Sequence, residues 1–115
     1  MKLTFVYQPV KDLKESVDFY RKLGFDEAWR EGDSTVAFAL PGTEVQLMLD
    51  LPTGAGPESA PGAFFGVDSL DRFAADHPDL KWVGEIIDVP GGRGGTFLDP
   101  AGNAIHLFDQ SADPE

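Results

Sequence analysis

Polar and apolar residues change their spacing several times along this chain, and each change marks an element. Leu3 to Gln8 carries apolar residues on both alternate faces, which predicts a strand covered on two sides and ended by Pro9. From Asp12 the spacing becomes helical, with Leu13, Val17, Tyr20 and Leu23 on one stripe. Asp12 and Glu15 stand at capping-box spacing and Gly24 supplies a C-terminal stop. Three short runs follow, Glu27 to Glu31, Thr35 to Leu40 and Glu44 to Leu49, parted by Gly32-Asp33 and Pro41-Gly42. They read as strands joined by turns, completing a β-α-β-β-β order.

The order then repeats. Ala63 to Val67 has strand character, Ser69 caps a short helix with Leu70, Phe73 and Ala74, and Pro78 stops it. Lys81 to Val89, Gly95 to Leu98 and Asn103 to Phe108 supply three more strands. Gly42-Thr-Glu-Val-Gln-Leu-Met48 echoes Gly102-Asn-Ala-Ile-His-Leu-Phe108 at a fixed offset, as an internal duplication would leave it. The expected organisation is one domain over residues 1–115. It comprises a first module at about 1–50, a Pro/Gly/Ser/Ala linker at about 51–61, a second module at about 62–110 and a short acidic tail at 111–115. One helix per module covers one sheet face, so two βαβββ modules are expected to form an α+β fold: a curved, cup-shaped mixed sheet with helices outside.

The chain has 115 residues, with 42% hydrophobic and 25% charged, enough for one core. Neither a signal-peptide pattern nor a membrane-spanning apolar run is present in the sequence, and the expected location is the cytoplasm. Twenty acids against nine bases give a net charge of -11, which disfavours phosphate backbones and anionic membranes as partners. The same charge can concentrate cationic ligands or simply keep the protein soluble. With no cysteine there are no disulfides, thiolate metal sites or cysteine nucleophiles.

Val10-Lys-Asp-Leu-Lys-Glu-Ser-Val-Asp-Phe-Tyr-Arg-Lys-Leu-Gly-Phe25 and Thr96-Phe-Leu-Asp-Pro-Ala-Gly-Asn-Ala-Ile-His-Leu107 resemble the strand-to-helix opening and the closing hairpin of the vicinal oxygen chelate superfamily. That superfamily includes glyoxalase I, extradiol dioxygenases, fosfomycin-resistance enzymes and bleomycin-resistance proteins. The resemblance spans nearly the whole chain and implies the fold more strongly than any activity. Its metal-dependent members place His, Gln or Glu on the first and last strands of each half. Here the corresponding positions hold Phe5, Gln46, Gly62 or a neighbour, and His106. One amide and one imidazole do not make a competent metal site, so no metal and no cofactor are expected. His77, beside Pro78, lies far along the chain from the cup.

Without ligands for a metal, aromatic residues become the informative feature. With Phe5 facing inward, strand alternation turns Leu3 and Tyr7 the same way, Met48 with Gln46 and Phe108 with His106. Phe38, Phe64, Trp29 and Trp82 lie on further strands. The expected ligand-binding set is Phe5, Tyr7, Trp29, Phe38, Gln46, Met48, Phe64, Trp82, Arg93, His106 and Phe108; core packing is the alternative role for each aromatic. His106 is expected to hydrogen-bond a ligand or Gln46, with general-base catalysis as the rival. Gly91-Gly-Arg-Gly-Gly95 lacks the Lys-Ser/Thr of a phosphate loop and reads as a flexible loop that could bring Arg93 to a ligand.

The function this supports is metal-independent binding of a small molecule, an aromatic or cationic antibiotic or similar natural product, held by sequestration in a homodimer. The alternatives are a glyoxalase- or dioxygenase-like lyase or oxygenase using a divalent metal, and a metal-free enzyme using His106. A carrier or sensor role is a third.

Overall fold

The computed structural model describes residues 1–52 and 54–112; Thr53 of the expected linker and residues 113–115 of the expected tail lie outside the described residues. In chain order the elements are β1 (Lys2–Pro9), α1 (Leu13–Lys22), β2 (Asp26–Glu31), β3 (Thr35–Ala39), β4 (Gln46–Asp50), a 3₁₀ turn (Pro57–Ser59), β5 (Gly62–Gly66), α2 (Leu70–Asp76), β6 (Lys81–Trp82), β7 (Ile87–Val89), β8 (Gly92–Leu98) and β9 (Ala104–Phe108). This is the expected α+β architecture. The strands join one mixed sheet in the order β2-β3-β4-β1-β5-β9-β8-β6, with β7 also pairing β8.

The duplication governs the topology. β1 pairs in parallel with β4, β5 pairs in parallel with β9, and the modules join through antiparallel β1 and β5. Each module keeps its helix on the convex side. Asp12 caps α1 by accepting the Glu15 N–H at 2.9 Å, and Ser69 caps α2 by accepting the Arg72 N–H at 3.3 Å; each such cap contributes about 1 kcal/mol. Gly24 ends the first helical segment with a φ of 97°, a conformation that only glycine adopts without strain.

Two cores result. Leu13 and Val17 of α1 pack on Val36, Phe38, Leu47 and Leu49, while Leu70 of α2 packs on Phe97 and Leu107. Strand alternation therefore commits odd-even partners to opposite duties: Leu47 and Leu49 face the helix, and Gln46, Met48 and Asp50 face the cup.

Three expectations need correction. Lys81 to Val89 is two strands, because Gly84 turns left-handed (φ 66°) and residues 83–86 pass only Gly95 and Thr96 on β8, so the surplus leaves the ladder. The glycine-rich segment is mostly strand rather than flexible loop: β8 begins at Gly92, where a side chain would collide with the Asp109 carbonyl and carboxylate. Leu3 does not share the face of Phe5. The register slips between them, pairing Leu3 with Phe65 and Phe5 with Phe64, so a bulge at Thr4 turns Leu3 to the convex side.

Candidate functional site

The middle of the concave face is a row of four paired residues. Phe5 lies opposite Gln46 on one side and Phe64 on the other, and Phe64 lies opposite His106. Parallel pairing makes Phe5 and Phe64 the equivalent residues of the two modules, as Gln46 and His106 are. The counterpart of Phe5 in the second module is thus Phe64, two residues beyond Gly62. Gly62 instead sits opposite Tyr7, and a Cβ there would come within 3.0 Å of the Ala104 carbonyl.

These four residues do not fit a metal. The two phenylalanines offer no donor, and Gln46 Oε1 already accepts the Trp29 indole N–H at 2.8 Å. His106 is spent as well. Its Nε2 donates to the Ala60 carbonyl at 2.8 Å, since a carbonyl can only accept, leaving Nδ1 to accept the Thr96 hydroxyl at 2.9 Å. The ring is buried, 2% exposed, stacked on Phe64 and edge-on to Tyr7 at 5.0 Å. Burial pushes its pKa down, against a smaller opposing pull from the Ala60 carbonyl. A neutral imidazole with both nitrogens engaged neither binds a metal nor takes a proton without breaking one of these bonds. No chemical step through a metal follows from this arrangement.

Gln46 and His106 are not partners of each other. Gln46 belongs to an aromatic cluster at one end of the row, in which Phe5 packs against Trp29 at 5.8 Å, Phe64 at 6.0 Å and Phe108 at 5.7 Å between ring centroids. Such contacts add about 0.5–1.5 kcal/mol each beyond burial. They consume much of the aromatic surface expected to be free for a ligand.

The open space lies beside that cluster. A cavity of about 440 Å³ is bounded by Tyr7, Met48, Phe64, Ile87, Thr96 and His106 from the strands, by Thr35 and Asp50 at the far side, and by Glu58, Ser59, Val83 and Glu85 from the connecting segments. That volume lies within the usual range for small-molecule sites. Asp50 organises one wall: its Oδ2 accepts the Tyr7 hydroxyl at 2.9 Å and its Oδ1 accepts the Thr35 hydroxyl at 2.7 Å. Burial, then the Asp50 hydrogen bond, push the Tyr7 phenol far above its ordinary pKa, so it stays protonated and donates.

Of the expected ligand-binding residues, Phe5, Tyr7, Trp29, Gln46, Met48, Phe64, His106 and Phe108 share the concave face. Three do not. Phe38 is fully buried in the core under α1. Trp82 pairs with Phe97 and packs against Phe73 on the convex side, its indole N–H donating to the His77 carbonyl at 3.1 Å. Arg93 turns towards α2, pairing with Asp88 at 2.7 Å and Asp71 at 3.4 Å. In each case β-alternation decides the face, and the sequence left the phase of these strands open. Asp50, Thr35 and Thr96 were missed, although Gln46, Met48, Asp50 is one unbroken alternation.

A paired-module cup of this topology defines a class of small-molecule proteins, and sequence comparison assigns the chain within it. Residues 2–107 match the family model "Glyoxalase/Bleomycin resistance protein/Dioxygenase superfamily", and the chain belongs to that superfamily. No protein of curated function matches it. Among solved structures it is similar to an NAD-dependent benzaldehyde dehydrogenase structure from Legionella pneumophila, 18% identical with a TM-score of 0.75, covering 91% of this chain and 96% of that one. It is also similar to methylmalonyl-CoA epimerase from Mycobacterium tuberculosis, 22% identical with a TM-score of 0.66, covering 94% and 87%. These likenesses establish the fold. An antibiotic binding protein from a Streptomyces species is 28% identical over 95% of each chain, with a TM-score of 0.41. Among the described residues no helix is long and apolar enough to cross a membrane.

Proposed function

We propose that this protein binds a partly planar organic molecule, an antibiotic or similar natural product, in the cavity beside Tyr7 and Phe64, and acts by sequestering it without a metal. The observation that carries the reading is the central row itself: Phe5 and Phe64 occupy two of the four positions that hold metal ligands in the superfamily's enzymes, and the Gln46 oxygen and both His106 nitrogens are engaged within the protein. What the cup offers a guest is aromatic surface, the Met48 thioether and a few fixed polar groups. A homodimer belongs to this reading, since Trp29 and Ile87 remain exposed on strands that carry the concave face. The cytoplasm is its proposed location.

A thermal-shift screen against aromatic antibiotics tests it, because a ligand that binds only the folded state raises the midpoint in proportion to its occupancy. The expected result is stabilisation by at least one compound, which mass spectrometry then recovers with unchanged mass. Stoichiometric bound metal, or conversion of the recovered compound, overturns the reading.

A further inference from the structure

The charge of the cavity wall says more about the guest than its aromatic floor does. Asp50, Glu58 and Glu85 line the space, and no lysine or arginine does. The ion pairs among the described residues lie elsewhere, at Lys2–Glu44, around Glu27 and around Arg93. Asp50 is the member built into the sheet. Its two oxygens accept hydroxyls from Tyr7 and Thr35, which fix the carboxylate without neutralising it. A carboxylate has about four acceptor positions, so about two remain for a donor entering the cavity.

We propose that the guest carries a positive charge, an ammonium, an amidinium or a protonated heterocycle, seated against Asp50 with its apolar part over Phe64 and Tyr7. This rests on the sequestration reading and narrows it to one ligand class. A cation there donates a charge-assisted hydrogen bond to the carboxylate and is attracted by the nearby aromatic rings. Glu58 and Glu85 add a negative field at the entrance, and the chain's net charge of -11 adds to it at longer range. His106 supplies no opposing charge, because burial holds the imidazole pKa down against the smaller pull of the Ala60 carbonyl, and Nδ1 is taken by the Thr96 hydroxyl. Phosphates, carboxylates and acidic conjugates meet repulsion on the same wall.

Three tricyclic probes of one shape separate the terms: proflavine, a cation near neutral pH; acridone, uncharged; and acridine-9-carboxylate, an anion. Fluorescence titration of the full chain at low and at physiological salt should give the affinity order proflavine, acridone, acridine-9-carboxylate, with the first preference shrinking as salt rises. In Asp50→Asn, an isosteric change, the proflavine-to-acridone affinity ratio should fall by about five- to ten-fold. Glu58→Gln/Glu85→Gln, altered only in the connecting segments, should lower the same ratio by a smaller factor and decides the matter if Asp50→Asn melts early. Equal binding of proflavine and acridone, with Phe64→Ala weakening both and neither charge variant changing their ratio, overturns the cation while leaving the aromatic cup intact. Failure of all three probes to bind the unaltered protein overturns the cup reading and this inference together.

Discussion

His106 Nε2 donates a hydrogen bond to the carbonyl oxygen of Ala60 at 2.8 Å, tying the segment between the modules to the centre of the second module's sheet. The bond puts a hydrogen on Nε2, Nδ1 of the neutral ring accepts the Thr96 hydroxyl, and burial lowers the imidazole pKa from its ordinary 6.5. The unfolded chain therefore binds this proton more readily than the folded one. Stability contributed by neutral His106 is fully present above pH 6.5 and falls as pH drops below it, until the folded imidazole itself titrates. Melting temperatures measured from pH 8 to pH 5 should decline for the unaltered protein. His106→Gln should flatten that part of the curve, and parallel curves for the two proteins would refute the assignment.

The two tryptophans should respond differently to truncation. Trp29 is 36% exposed on an edge strand, holding Gln46 and bordering Phe5, whereas Trp82 is half-buried against the second core, between Phe73 and Phe97. Trp82→Ala should cost about 3 kcal/mol in urea unfolding, the low end for aromatic truncation in cores. Trp29→Ala should cost only about 1 kcal/mol, as expected of a partly exposed residue. Ligand affinity should move only with Trp29, through rearrangement of Gln46 and Phe5 beside the cavity.

That contrast shows what the sequence could reveal. Element order, both helix caps and the paired modules were legible, because capping residues, a change from period 2 to period 3.6 and a repeated heptapeptide are local signals. The face of a strand is legible only when its alternation has an anchored phase. Gln46 and His106 hold equivalent positions of the repeated heptapeptide and face the concave side, while Trp82 precedes the turn at Gly84 and Arg93 follows the one at Gly91, where the phase was lost. Asp50 was hidden for another reason. An acidic residue just past an apolar run reads as the end of a strand, and only the Tyr7 and Thr35 hydroxyls that meet it show otherwise.

Asp109 should prove to be the most sensitive polar residue outside the cup. It is 2% exposed, and its carboxylate accepts N–H bonds from Leu70 at 2.6 Å, Arg93 at 2.9 Å and Ser111 at 3.1 Å, joining the start of α2 to the two central strands of its module. Burial opposes its ionisation, but these donors outweigh it and hold its pKa below the ordinary value. The stability it provides is present above the unfolded pKa of about 3.9 and lost as pH falls through the folded one. Asp109→Asn exchanges an acceptor for a donor facing backbone N–H groups, and should cost roughly 2–4 kcal/mol by urea unfolding at pH 7. A loss below about 1 kcal/mol would mean that water replaces the carboxylate there.

The glycines of β8 offer a last test, since a flexible loop and a close-packed strand respond in opposite ways to a methyl group. In a flexible loop, Gly→Ala is neutral or stabilising, because it restricts the unfolded chain. At Gly92 the added Cβ would overlap the Asp109 carbonyl and carboxylate, the same group that caps α2, so the methyl can be accommodated only by displacing that backbone. Gly42→Ala is the matched control: it meets no atom within 4 Å but sits at a φ of 80°, which isolates left-handed strain of about 1–2 kcal/mol. Gly92→Ala should exceed that and lower the protection of the Leu70 and Arg93 amides in hydrogen exchange, since both bond to Asp109. Gly42→Ala should leave those amides slow to exchange relative to its own global stability.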